Sequence, residues 1–171
     1  MSGEPLEPRF QGDEDYLCSL YAVLNGVLRL APDLDQPAII RLFRALCRAL
    51  DRDDRLLTTL IDGGGGPTVE LLLTACVKTL SPALPLSWDR LMLPPTNPFT
   101  TLRRLARAEA SLLMTYRHAE GGHWTVIDRV GSKYLHLFDS MGFGPLPLAD
   151  CGFSGTPPYR FSRRVYRLRR V

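Results

Sequence analysis

The stretch GGHWTVIDRVGSKYLHLFDSMG, residues 121–142, carries the clearest structural signal in the chain. Its two runs, 123–130 and 134–138, are rich in β-branched and aromatic residues and lie on either side of Gly131 and Ser132. Two such runs around a short turn that contains glycine predict a β-hairpin. We therefore expect adjacent antiparallel strands, with a histidine at the start of the first strand and an aspartate just after the second.

His123 and Asp139 occupy matching ends of this predicted hairpin. Folding the chain back at Gly131, or at the peptide bond that follows it, sets His123 opposite Asp139 or Ser140, within reach of a cross-strand contact. A hydrogen bond between imidazole and carboxylate fixes the tautomer and the orientation of the ring, as a general base requires. A His-Asp pair in turn implies a third group that gives up a proton.

Cys18 is the candidate for that third group. It follows an acidic, loop-like stretch, and the apolar residues around it recur at the spacing of a helix: Leu17, Leu20, Tyr21, Leu24, Val27 and Leu28. Cys18 is therefore predicted in the first turn, where unpaired backbone N–H groups, the helix dipole and a nearby imidazolium favour thiolate. Gln11, seven positions earlier, carries an amide that can donate a hydrogen bond to the oxyanion formed when a thiolate attacks a carbonyl.

The order of these residues resembles the papain-like cysteine peptidases. A glutamine stands shortly before a cysteine that opens a helix, and much later Gly-His begins a strand and Asp follows on the next one. Among these peptidases the chain is most similar to the compact bacterial C39-like branch, and the similarity covers only the cysteine and hairpin segments. The resemblance implies a nucleophile, a general base, a residue that orients the base and an oxyanion-hole side chain, which are Cys18, His123, Asp139 and Gln11 respectively.

Two other residues compete for these roles. His118 precedes His123 by five residues, before the glycines, and is predicted at the far end of the preceding strand or in the loop, which makes it the weaker base. Cys151 stands in Leu-Ala-Asp-Cys-Gly-Phe, and with His-Trp and Asp-Ser before it the order is similar to the ubiquitin-like-protein peptidases. Only twelve positions separate Asp139 from Cys151, which leaves little chain for a nucleophile helix, so Cys18 is preferred.

The composition suits one domain that spans residues 1–171. The chain of 171 residues is 45% hydrophobic and has a mean hydropathy of -0.05, which allows a sizeable core. Helical patterns dominate the first two thirds and strand patterns the remainder, so we predict an α+β fold of the papain-like kind, with N-terminal helices carrying the cysteine packed on a C-terminal antiparallel sheet carrying His and Asp. The predicted helices are 37–50, 68–80 and 100–109, and the further strands are 111–117 and 163–171.

Two segments read as connections. Residues 51–68, DRDDRLLTTLIDGGGGPT, are charged and then glycine-rich, and because no Lys-Ser or Lys-Thr follows the glycines, a phosphate-binding loop is disfavoured. A flexible loop that covers or lines a cleft is the expectation. Residues 81–98 are rich in proline and predict an irregular connection.

Cysteine usage and charge set further limits. The four cysteines form no CxxC pair, and the N-terminus shows no basic-then-apolar signal segment, so we expect reduced thiols, no metal or other cofactor, and a cytoplasmic protein unless a signal-independent system secretes it. Cys47 and Cys76 lie in apolar helical patterns and are predicted to be buried. No run is apolar enough to predict a membrane span. The basic end, residues 163–171, predicts a charged edge strand rather than a nucleic-acid surface.

The function expected from these residues is thiol-dependent acyl transfer, most simply hydrolysis of a peptide or isopeptide bond in a peptide or protein substrate. Gly121 and Gly122, before the histidine, and Trp124, after it, are the candidate substrate-binding residues. Trp124 is expected either to shield the ion pair from water or to pack against the helix. Three alternatives stay open: a glutamine deamidase, an acyltransferase, and a peptide-binding module on the same fold without catalysis.

Overall fold

The structure, a computed structural model, describes residues 6–12, 15–81, 83–106 and 109–171. Within these ranges the chain forms an α+β fold, and four of the five helices precede the first strand. None of the described helices is both long and apolar enough to cross a membrane. The N-terminal helices pack on a C-terminal sheet that is antiparallel except for one short parallel pair.

The helices of the described residues differ in how they are buried. Eleven of the thirteen residues of the first helix are buried, so it is a core helix, whereas the second is amphipathic and begins at Asp35, whose carboxylate accepts the N–H of Ala38 at 2.7 Å. The helices are α1 (Cys18–Leu30), α2 (Gln36–Arg52), α3 (Leu56–Asp62), α4 (Gly66–Leu80) and α5 (Pro98–Leu105).

Eight strands make one sheet, whose main path runs β1-β8-β2-β3-β4-β5, while β7 pairs with β2 beyond the end of β8 and β6 pairs with β7. The strands are β1 (Leu86–Met92), β2 (Ala110–His118), β3 (Gly121–Val130), β4 (Tyr134–Phe138), β5 (Leu146–Pro147), β6 (Cys151–Gly152), β7 (Tyr159–Phe161) and β8 (Arg164–Arg170).

Strand β8 lies inside the sheet, so the prediction of an edge strand for the basic C-terminal run is wrong. It pairs with β1 on one side and with β2 on the other. One of its arginines, Arg167, forms a two-pronged ion pair with Asp89 of β1, with both N–O distances at 2.9 Å. An arginine of this strand therefore pairs with a carboxylate of the neighbouring strand. Whether the strand lies at the edge depends on the strand order, which the sequence of the strand does not show.

Each face of the sheet has its own core. Helices α1, α2 and α4 cover one face, where Trp124 and Val126 of β3 join their apolar side chains. The opposite face packs against α5 and the segments around β5 to β7, and takes Leu112 and Tyr116 of β2 and Ile127 of β3. The alternation along β2 and β3 matches the period of a strand buried on both faces.

Helix α1 approaches the sheet closely at Gly26. A Cβ at this position would lie 3.2 Å from a methyl group of Leu113, so a larger residue would push the helix away. Ser111 of β2 donates a hydrogen bond to the carbonyl of Gly26 at 2.7 Å, and Arg29 holds Asp128 of β3 at 3.2 Å. The helix that begins with Cys18 is thereby fixed on the strands that lead to His123, as the sequence predicts.

Both predicted connections contain regular structure that the sequence patterns missed. The proline-rich segment includes β1, because its prolines flank the strand and none lies within it. The charged segment includes α3, and the last of its four glycines already begins α4 with Pro67 behind it, which leaves Gly63–Gly65 outside the helices. The predicted helix over 100–109 runs instead from Pro98 to Leu105, and part of the predicted range, 107–108, lies outside the described residues.

Candidate active site

Cys18 is the first residue of α1, and the local sequence leaves this helix end uncapped. Leu17 precedes it and has no polar side chain, so no side-chain hydrogen bond closes the first turn. Asp15 instead stabilises the approach, because its carboxylate accepts the N–H of Leu17 at 3.0 Å and of Gly12 at 3.1 Å. The N–H groups of Cys18 and Ser19 have no intrahelical acceptor and are available to a developing negative charge.

His123 and Asp139 form a buried pair. The Nε2 atom of His123 lies 2.9 Å and 3.1 Å from the two carboxylate oxygens of Asp139, and the residues are 3% and 1% exposed. Cys18 lies close enough to His123 to raise the pKa of the ring, and because Asp139 occupies Nε2, Nδ1 is the nitrogen left for the thiol. The structure therefore brings together the thiol, the imidazole and the carboxylate.

The pair forms through a different strand register from the one predicted. The turn places Ser132 and Lys133 at its tip, with the N–H of Gly131 bonded to the carbonyl of Tyr134 at 2.8 Å. A β-bulge between Ile127 and Arg129 then shifts the pairing by one residue, so Val126 faces Phe138, and continuing this register puts Thr125, not His123, level with Asp139.

The contact with His123 arises because β4 ends at Phe138 and the chain turns. The N–H groups of Met141 and Phe143 then donate to an oxygen of Asp139 at 2.8 Å and 3.4 Å. The turn thus aims the carboxylate along the sheet toward a histidine two residues beyond the one it would directly face.

Burial and partners pull the pKa of His123 in opposite directions. Burial lowers the pKa, but the hydrogen bonds to Asp139 and Cys18, together with their negative charges, outweigh it and raise the pKa from 6.5 to about 9. The ring therefore favours the imidazolium form at neutral pH when it faces a thiolate and a carboxylate.

Two aromatic rings hold the imidazole in place. Tyr116, directly across from His123 on β2, and Phe143, in the turn after Asp139, both meet it edge to face, with ring centroids 5.6 Å and 5.8 Å away. Tyr116 is 1% exposed, and burial, followed by the charge of Asp139, raises the pKa of its phenol far above the usual range. Tyr116 is therefore a neutral wall of the site.

Gln11 lies beside the site and is held at three atoms. Its backbone N–H donates to the carbonyl of Ser140 at 3.0 Å, its Oε1 accepts from the hydroxyl of Ser140 at 3.0 Å, and its Nε2 donates to the carbonyl of Asp15 at 3.0 Å. An amide nitrogen carries two hydrogens, so one N–H of Gln11 remains. Its role as an oxyanion donor stays a prediction, now with a fixed side chain to test.

Trp124 fixes the glycine segment near the thiol. Its indole N–H donates to the carbonyl of Gly64 at 2.6 Å, and a Cβ on Gly64 would come within 2.4 Å of the Ser19 hydroxyl. Only glycine therefore fits at Gly64. The buried Trp124 holds the backbone of Gly64 in place, in addition to any contact that it makes with substrate. Gly121 and Gly122 are exposed, and a Cβ on either would meet nothing within 4 Å, so there is open space beside these two glycines.

The competing residues have other neighbours. The thiol of Cys151 bonds to the carbonyl of Pro147 at 3.3 Å, and burial, reinforced by the charge of Asp150, raises its pKa to about 11. The ring of His118 packs against Tyr116 and Phe143, with ring centroids 5.6 Å and 5.2 Å away.

The remaining two cysteines are not positioned for chemistry at the site. Burial raises the pKa of Cys76 to about 12 and also raises the pKa of the half-buried Cys47. All four cysteines are free thiols. In the part of the chain that the structure describes, no three His, Cys, Asp or Glu side chains converge in a way that could hold a metal ion.

Several residues that build the site have no signal in the sequence. Asp15, Tyr116, Ser140 and Phe143 act through contacts between distant segments, which a local pattern does not report. Asn25 is partly an exception, because a polar residue on the apolar face of a predicted core helix is expected to have a hydrogen-bond partner. Its partner is the backbone of Arg9.

No model of a protein family, no curated protein sequence and no solved structure matches this chain.

Proposed function

We propose that this protein is a thiol-dependent acyl-transfer enzyme of the papain-like kind, which hydrolyses a peptide or isopeptide bond. The observation that carries the proposal is the buried ring of His123, bonded through Nε2 to Asp139 and close enough to Cys18 for the thiol to raise the pKa of the ring. A structural histidine needs one partner, whereas this ring has a carboxylate on one side and a thiol at an uncapped helix start on the other.

The first step moves a proton from the thiol to the ring. The Sγ proton of Cys18 passes to Nδ1 of His123, which leaves a thiolate beside an imidazolium. Asp139 stabilises the imidazolium through Nε2, which is one cause of the raised pKa of His123. Tyr116 and Phe143 keep the ring from rotating, so the proton stays on the side that faces the sulfur.

Acylation follows by attack of the thiolate on the carbonyl carbon of the substrate. A carbon–sulfur bond forms, and the carbonyl oxygen becomes an oxyanion that the free N–H of Gln11 and the N–H of Cys18 can stabilise. The imidazolium then gives its proton to the leaving nitrogen, and the carbon–nitrogen bond breaks. The products are an amine and a thioester on Cys18.

The acceptor decides the overall reaction. His123 deprotonates water, the resulting attack on the thioester releases a carboxylic acid, and the thiol is restored. An amine acceptor would give a transferase, and a glutamine side chain as substrate would give a deamidase. The papain-like order of Gln11, Cys18, His123 and Asp139 supports peptidase activity among these.

The test is incubation of the full chain with a peptide library made from a digested proteome, followed by mass spectrometry. We expect new peptide termini with the wild type and none with Cys18→Ala. Conversion of glutamine to glutamate without new termini would replace the peptidase by a deamidase. Neither product, in a protein whose Cys18 labels no faster than its other thiols, would refute catalysis by this site.

A further inference from the structure

The segment before Gln11 is held rigidly against α1. The buried side chain of Asn25 accepts the N–H of Arg9 at 2.7 Å and donates to the carbonyl of Arg9 at 3.1 Å, as a neighbouring strand would. Two residues later Gln11 is bonded to Ser140. Phe10 lies between these two anchors and is nevertheless 57% exposed. An aromatic ring held in water by a fixed backbone is typical of a binding surface.

A groove runs between this segment and helix α2, with a volume of about 390 Å³. Its apolar walls come from α1, from α2 and from Phe10, and the rings of Tyr21 and Phe43 meet in it with centroids 5.9 Å apart. The apolar lining residues are Phe10, Tyr21, Leu24, Ile39, Ile40 and Phe43. The groove therefore offers an apolar side chain a place to be buried.

The rim of the groove is positive. Arg9 and Arg44 line it, and none of its described lining residues is acidic. The guanidinium of Arg9 donates to a neutral group, the side-chain Oε1 of Gln36, at 2.7 Å, and Arg44 forms no ion pair with any described residue. Asp15, whose charge acts on Tyr21, has both oxygens bonded to backbone N–H groups. A ligand with an apolar side chain beside a carboxylate matches this surface.

The groove begins close to the thiol. Tyr21 is three residues after Cys18 on α1 and Leu24 is six, which places them about 4.5 Å and about 9 Å along the helix axis. Phe10 directly precedes Gln11. An extended peptide advances about 3.3 Å per residue, so a substrate held at Cys18 reaches the groove within roughly two to four residues.

We propose that this groove is a specificity subsite, which receives an apolar side chain of a polypeptide substrate while Arg9 and Arg44 bind an acidic residue next to it. The proposal rests on the proposed function, because it takes its occupant from the peptide bound at Cys18. The substrate class is thus polypeptides with an apolar–acidic pair a few residues from the reacting bond.

Affinity selection separates this proposal from catalysis. Full-length Cys18→Ala, which cannot turn over, is incubated with a random peptide library, and bound peptides are sequenced by mass spectrometry. We expect enrichment of Leu, Ile, Val or Phe beside Asp or Glu. Arg44→Glu should lower that enrichment roughly threefold to fivefold, as expected for an exposed ion pair, and favour Lys or Arg instead.

Arg48→Glu is the matched control, because Arg48 is exposed one turn further along α2 and does not line the groove. Ile40→Asp reports on the apolar half and should abolish the preference for apolar side chains, and circular dichroism checks its fold. Equal behaviour of Arg44→Glu and Arg48→Glu, or no apolar–acidic enrichment, would overturn the subsite. Enrichment as expected in a protein whose wild type cleaves nothing would instead refute the peptidase and leave the groove.

Discussion

Cys18 and Cys151 are almost equally buried, at 7% and 8% exposed, yet their surroundings differ in every respect that matters for a nucleophile. Cys18 opens a helix with unpaired N–H groups and lies close enough to His123 to raise the pKa of its ring. Cys151 lies in a two-residue strand, donates to a backbone carbonyl and has Asp150 beside it. Burial alone therefore does not predict the reactivity of a cysteine, whereas the sign of the charge near its sulfur does.

The two sites also differ in their carboxylates. Asp139 bonds the imidazole that lies beside Cys18, and this bond and its negative charge raise the pKa of His123. Asp150 acts on Cys151 directly, and its charge disfavours thiolate. An aspartate near a cysteine can thus promote or suppress its reactivity, depending on whether a histidine stands between them.

The largest expected difference is in alkylation by iodoacetamide at pH 6. A thiol whose pKa is about 11, as for Cys151, is ionised to on the order of one part in 10⁵ at this pH, whereas the proposed mechanism places an imidazolium beside Cys18. We expect Cys18 to label at least about 10³ times faster, read by peptide mass spectrometry. His123→Ala should remove most of this advantage. Equal rates for the two cysteines in the wild type would contradict the thiolate–imidazolium pair.

Exchanging each aspartate for asparagine should change the two thiols in opposite directions. Asp139→Asn removes the anion that stabilises His123 as imidazolium, so labelling of Cys18 at pH 6 should fall on the order of 100-fold. Asp150→Asn removes a charge that raises the pKa of Cys151, so labelling of Cys151 should rise. The same peptide assay measures both. If both variants shifted their cysteine in one direction, the electrostatic account of the comparison would be wrong.

Much of the site was predictable because it depends on local signals. A helix start after an acidic loop predicts the position of Cys18, and the hairpin pattern predicts that His123 and Asp139 meet. The hydrogen bond exists although the predicted register does not, because the turn after Phe138 redirects the carboxylate. The predicted contact between His123 and Asp139 is correct although the strand register is not, because the two side chains are long enough to meet across a small shift in pairing.

What was not predictable depends on distant contacts. The exposure of a strand such as β8 follows from which strands lie beside it, and its sequence shows only alternating basic and apolar residues. Strand β1 was hidden by the prolines that bound it, and α3 by its short length. The roles of Tyr116 and Phe143 depend on ring contacts between segments.

The raised pKa of His123 also predicts how stability depends on pH. A group whose folded pKa lies above its unfolded value contributes stability that is complete below pH 6.5 and is lost as the pH rises through about 9. In a Cys18→Ser background, which removes the thiol's titration and part of the shift, we expect the free energy of unfolding to fall by about 2 kcal/mol across this window.

Urea unfolding at pH 6 and at pH 9.5 measures the loss, with Cys18→Ser/His123→Gln as reference, so that other titrating groups cancel. The reference should lose less stability than the protein that retains His123. Parallel curves would mean that the ring is not stabilised as imidazolium, and would remove the electrostatic distinction between the two cysteines.

The smallest expected effect concerns Gln11. It tests how the site stabilises an oxyanion, whereas the alkylation experiments test the reactivity of the sulfur. Cys18 begins a helix with unpaired N–H groups, whereas the thiol of Cys151 donates to a backbone carbonyl. A peptide aldehyde forms a tetrahedral adduct with an oxyanion, whereas alkylation by iodoacetamide forms none. Gln11→Ala should therefore weaken aldehyde binding about tenfold, because the backbone donors remain, and leave the alkylation rate of Cys18 unchanged.

With an aldehyde too short to reach the groove, Gln36→Ala is the control, since Gln36 bonds the same segment through Arg9 but lies in the groove. A fall in both aldehyde binding and alkylation with Gln11→Ala would mean that the amide only holds the loop through Ser140 and Asp15. A fall in aldehyde binding alone would assign the remaining N–H of Gln11 to the oxyanion. Comparing the change in aldehyde affinity with the change in alkylation rate thus separates a structural amide from a catalytic one, because only the tetrahedral adduct places charge on oxygen.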